Sequence, residues 1–79
     1  MTHAVGIDCR TSDSLKLIRR LTKLVGTVSV RGPYPYQQCP KEAQLHYVGD
    51  MDEARLDAWL HRTKHGAEYT GTYPMEVHV

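Results

Sequence analysis

Residues 43–66 read AQLHYVGDMDEARLDAWLHRTKHG, and the change of rhythm inside this stretch decides the fold. Ala43, Leu45 and Tyr47 alternate with Gln44, His46 and Val48, the period of two that marks a strand, and the strand stops at Gly49. Beyond it Leu56, Trp59 and Leu60 recur at three- and four-residue spacing, flanked by Ala54 and Ala58. That is the buried stripe of a helix. Asp50 followed by Glu53 reads as a capping box, with Asp52 and Glu53 at the positive end of the helix dipole. Arg62, Lys64 and His65 fill the last turn, and Gly66 closes it.

The same rhythm occurs on the N-terminal side. Val5, Ile7 and Cys9 alternate with Ala4, Gly6 and Asp8, so Thr2 to Cys9 is a strand with one apolar face and one face of small residues. Arg10 to Val25 is a helix, with N-cap side chains at Thr11, Ser12 and Asp13. Its stripe is Leu17, Ile18, Leu21, Leu24 and Val25, and Gly26 stands where a left-handed stop is wanted. Thr27 to Arg31 is a short strand with Val28 and Val30 on one side. Gly32 to Pro40 carries Pro33, Pro35 and Pro40, which fix φ and remove donors, and reads as a loop. Glu68 to Val79 is a last strand, with Tyr69, Gly71, Tyr73, Met75, Val77 and Val79 on one face. Pro74 cannot donate to a ladder, which places that strand at an edge.

The order β-α-β-β-α-β predicts an α+β domain of the ferredoxin-like, split-βαβ type. The expected sheet is antiparallel and four-stranded, in order 4-1-3-2, with both helices on one face. The other face would be open and lined by Ala4, Gly6, Asp8, Thr27, Ser29, Arg31, Gln44, His46, Val48, Thr70 and Thr72, without Phe, Tyr or Trp. Residues 1–79 make one domain, of a size that buries only about 60% of its unfolded surface. Hydrophobic residues are 41% and charged residues 24%, a globular and not a disordered composition. A formal charge of +1 leaves no global field that demands nucleic acid or imitates it. No stretch reaches the ~20 apolar residues of a membrane span, and residues 1–5 lack the basic and apolar regions of a signal peptide. Cytoplasmic residence and reduced thiols at Cys9 and Cys39 are expected.

No residues assemble into a catalytic, metal or cofactor signature, so the expectation is a protein without cofactor and without enzymatic activity. Five histidines invite a zinc reading, and His61 and His65 share a helix face, but no third ligand joins them. His46 and His78 are candidates for one sheet face. Cys9, beside Arg10 and just before a helix, has the setting of a reactive thiol; its alternation with Val5 and Ile7 favours a core residue instead. Glycine-rich phosphate loops and paired carboxylates are missing from the sequence.

Surfaces for binding remain. Lys16, Arg19, Arg20 and Lys23 form a basic stripe on the first helix, where like charges repel unless a partner neutralises them. Arg31, Tyr34 and Tyr36 precede and enter the proline loop, and tyrosine with arginine is the composition of interaction hot spots. The alternative for the tyrosines is folding back onto the core. In size and architecture the whole chain resembles the small phage-encoded anti-CRISPR proteins. That resemblance implies a steric inhibitor that binds a Cas subunit or surveillance complex in the host cytoplasm and blocks DNA recognition. Here Tyr34, Tyr36 and the basic helix face would make the contact. The second expectation is a nucleic-acid-binding accessory protein that uses the basic stripe. Either would be a monomer or a weak homodimer.

Overall fold

A computed structural model describes residues 2–62 and 69–76. Lys64, His65, the Gly66 stop, Glu68, Val77, His78 and Val79 lie outside the described residues. The elements are β1 (His3–Arg10), a 3-10 turn (Thr11–Asp13), α1 (Ser14–Thr22), β2 (Thr27–Pro35), β3 (Glu42–Gly49), α2 (Glu53–Arg62) and β4 (Tyr69–Met75). This is a small α+β arrangement: one antiparallel sheet in the order β2-β3-β1-β4, with two helices. In the central pair, Val5 lies opposite Tyr47, Ile7 opposite Leu45 and Cys9 opposite Ala43. All six are buried, and Leu17 and Leu21 of α1 join Leu56 and Leu60 of α2 on that side. Alternating strands and two amphipathic helices thus meet in one core.

The elements differ from their predicted bounds for local reasons. The helix expected over 10–25 begins with the 3-10 turn and ends at Thr22, so Val25, expected in the stripe, is 97% exposed. Asp13 occupies the N-cap without a side-chain cap bond, while Ser14 is buried and donates from Oγ to Thr11 O at 2.7 Å. Gly26 has φ of 90°, and the Asp50 side chain fills the space where a Cβ would go. Only glycine suits that combination. The capping residue of α2 is Asp52 and not Asp50: Asp52 Oδ1 accepts the Arg55 N–H at 2.8 Å, and Asp52 O accepts from Leu56 N at 2.9 Å. Asp50 is spent elsewhere, its N–H donating to Gly26 O at 3.1 Å.

The edge strands depart most. β2 runs on through Pro35 and absorbs half of the expected loop. Its register against β3 shifts twice, between Thr27 and Ser29 and between Arg31 and Tyr34. Val28 is the extra residue of the first bulge and is exposed, while Val30 packs on the core. Gly32, at φ 129°, is in the second, where a Cβ would meet Gln44 O. β4 shifts between its partners Cys9 and Asp8, leaving Thr70 as the extra residue. Each extra residue turns everything beyond it to the other face.

The reassigned cap yields a clean stability test. Asp52→Ala lowers stability by about 1 kcal/mol, the worth of a helix N-cap. It appears as a lower urea midpoint at unchanged slope. Asp50→Ala, which removes no cap bond, shifts the midpoint less.

Candidate functional site

The bulges decide what the open sheet face carries. Past Thr70, Gly71 pairs with Asp8, Tyr73 with Gly6 and Met75 with Ala4, all on the side away from the helices. The expected alternation is therefore corrected: of its described residues Tyr69 points to the core, while Thr72 faces α2 and Gly71, Tyr73 and Met75 do not. Thr27, also expected on the open face, donates from Oγ1 to Leu21 O at 2.8 Å on the helix side. The Tyr73 ring lies over Gly6, and a Cβ there would stand inside it. On the other edge, the second β2 bulge keeps Tyr34 on the same face as Arg31, opposite Gln44. The Tyr34 ring sits 4.7 Å from that of His46, tilted by 40°. His46 Nε2 meets Gln44 Oε1 at 2.9 Å, which makes this nitrogen the donor. Tyr36, one residue past β2, reaches across to donate its hydroxyl to Asp8 Oδ1.

The open face expected to lack aromatics therefore carries three tyrosines around a central carboxylate. Tyr34 and Tyr36 are 46% and 36% exposed, so neither is a core residue. The Tyr36 phenol is held well above its ordinary pKa, first by its hydrogen bond to the Asp8 carboxylate and then by burial. Tyr73 is raised as well, chiefly by burial, with Tyr36 acting in the opposite direction. Tyr73 Oη is buried and makes no hydrogen bond of normal geometry, although Tyr36 and Asp8 are near enough to move its titration. Both phenols keep their protons at neutral pH and supply no tyrosinate. Ala4, Ser29, Arg31, His46, Val48 and Met75 line a shallow pocket of about 270 Å³ on this face.

Of the residues singled out by sequence, Arg31, Tyr34 and Tyr36 come together here. Lys16, Arg19, Arg20 and Lys23 do not join them. Lys16, Arg19 and Arg20 belong to α1 and Lys23 is its C-cap, in the helix layer, with Leu17 and Leu21 of that helix facing the sheet. The two candidate surfaces lie on opposite layers of the molecule. Sequence reasoning missed Tyr73 and the placing of Gly6, Asp8 and Gly71 beside it. The signal available was the pair of side-chain-free positions, Gly6 and Gly71, on neighbouring strands.

A second polar cluster joins α2 to β4. Tyr69 Oη donates to Asp57 Oδ1 at 3.0 Å and lies against His61 Nδ1, which is 3.5 Å from Asp57 Oδ2. Thr72 Oγ1 donates to Glu53 Oε1 at 2.8 Å. Burial, with help from Asp57, pushes the Tyr69 phenol up to about 12, so it holds its proton and fastens the edge strand to the helix. Cys9 is fully buried in the core and Cys39 is exposed; the two form no disulfide. Cys39 lies on a cleft of about 900 Å³ with Arg10, Thr11 and Lys41. Among the described residues no three His, Cys, Asp or Glu side chains converge as a metal site, and His65 and His78 lie outside those residues. No described helix is long and apolar enough to cross a membrane.

No protein-family model, curated protein or solved structure matches this chain.

Three raised phenols make stability depend on alkaline pH in one direction. Each binds its proton more tightly folded than unfolded, so its contribution is complete below the ordinary tyrosine pKa of about 10 and is lost as pH rises through the folded value. Stability should fall from about pH 10 upward, with Tyr36, Tyr69 and Tyr73 ionising late. Tyrosinate absorbance followed against pH, in native protein and in denaturant, checks this. Coincident curves would overturn it.

Proposed function

We propose that the chain is a non-catalytic binding protein that occludes a partner's surface with the open face of its sheet. One observation carries the reading: Tyr34 and Tyr36 are exposed yet held, one against His46 and the other on Asp8. An aromatic side chain fixed before binding loses little further freedom on contact, and such rings anchor interfaces. Tightly held phenol protons fit this passive role. A protein suits the face better than nucleic acid, because the Asp8 carboxylate stands at its centre and would oppose phosphates.

The ferredoxin-like reading of the fold is supported by the strand order, which is 4-1-3-2 when read from the β4 edge, and by the shared core of both helices. Size and architecture support the anti-CRISPR type of inhibitor, seated on a Cas subunit or surveillance complex in a host cell. The alternative, nucleic-acid binding, draws on α1 and its C-cap, where Arg19 and Lys23 are exposed beside Lys16 and Arg20.

Pull-down from a bacterial lysate containing a CRISPR–Cas system separates these readings. The wild-type chain should retain a Cas subunit. Tyr34→Ala with Tyr36→Ala should weaken that retention about tenfold or more, at unchanged circular dichroism. Undiminished retention by the double variant removes the tyrosine face as the binding surface. Recovery of nucleic acid alone, falling steeply with salt and lost in Arg19→Glu with Lys23→Glu, would move the function to α1.

A further inference from the structure

The open face has a hole in it beside its one central charge. Gly71 lies directly opposite Asp8 in the β1–β4 ladder, and a Cβ built at Gly71 would meet nothing within 4 Å. Tyr73 stands two residues along on the same face, its ring laid over Gly6. From the other side Tyr36 brings its hydroxyl to the Asp8 carboxylate. Gly71, the Tyr36 and Tyr73 rings and the Asp8 carboxylate thus border an open notch on the sheet face. Asp8 takes a hydrogen bond from Tyr36, but among the described residues no cation pairs with it. A carboxylate on a half-buried face gains from an opposite charge, and aromatic rings attract cations.

We infer that this notch receives an arginine side chain of the protein partner, its guanidinium on the Asp8 carboxylate and its plane against Tyr73. The inference rests on the binding-face reading above and names the chemistry at its centre. Arginine fits better than lysine because a guanidinium is planar, weakly hydrated, stacks on aromatic rings and forks onto a carboxylate. Tyr36 uses its proton on Asp8, so its oxygen offers lone pairs and not a competing donor to the incoming cation.

The probe is a blocked Gly-Arg-Gly peptide, with Gly-citrulline-Gly as its uncharged isostere, titrated into the labelled protein by NMR. The arginine peptide should give saturable shifts at Asp8, Gly71 and Tyr73, and the citrulline peptide should bind about tenfold more weakly or not at all. Asp8→Asn should abolish the difference between the two peptides. Gly71→Val should block both. Gly71 does not have positive φ, a valine Cβ there meets no atom, and β-branched residues suit strands, so this variant tests the notch without threatening the fold. Equal binding of the two peptides, or an unchanged response in Gly71→Val, overturns the inference. A partner lost by the Tyr34→Ala, Tyr36→Ala variant but kept by Asp8→Asn and Gly71→Val would refute the arginine notch and leave the binding face standing.

Discussion

The register of β1 against β3 is the constraint on which the rest of this molecule hangs. Val5 on Tyr47, Ile7 on Leu45 and Cys9 on Ala43 put six buried side chains on one face of the central pair. A slip of one residue would turn one strand's three of them to the other face. Tyr47 makes the register specific as well as apolar. It is completely buried, and its phenol oxygen accepts the Met51 N–H at 3.2 Å, which sets the approach to α2. That oxygen occupies the space a side chain at Gly49 would need. One aromatic residue thereby ties strand register, the chain's exit from the sheet and helix docking together.

The edges obey a different logic. β2 and β4 each pair on one side only, and two bulges in β2 and one in β4 reverse inside and outside partway along. Bulges concentrate at sheet edges because an extra residue there disturbs only one ladder. In β4 the reversal splits the tyrosines. Tyr69 goes under the sheet, to the polar latch with Asp57 and His61, and Tyr73 goes over it, onto Gly6. In β2 it aligns Tyr34 with Arg31, across an odd number of residues that a regular strand would set on opposite faces. The open tyrosine face is thus made by irregularity at the rim around a regular centre.

The helix layer and the sheet face are consequently independent surfaces. Lys16, Arg19 and Arg20 of α1, with Lys23 at its C-cap, belong to the helix layer, and the tyrosines belong to the opposite face of the sheet. Phenols whose protons are tightly held and a carboxylate that accepts a hydrogen bond from one of them form a fixed polar relief on the open face.

The central architecture was legible in the sequence because it depends on local periodicity. The alternations in residues 3–10 and 42–49, the stripes Leu17–Leu21 and Leu56–Leu60, and Gly26 each carry their meaning within a few residues. That Arg31, Tyr34 and Tyr36 belong to one surface segment was legible from composition, but their shared place on the open face depends on the second β2 bulge. The cap of α2 was misplaced by two residues, because Asp50 and Asp52 offer the same side chain and only the chain path from Gly26 chooses between them. The face of Thr72 and Tyr73 could not be read at all. An alternating strand has the same appearance with and without a bulge, and a bulge is fixed by pairing with residues more than sixty positions away. The sequence by itself determined which residues could form strands, helices and contacts. The tertiary structure decided which face each edge residue took, because face is a property of register, and register exists only between strands.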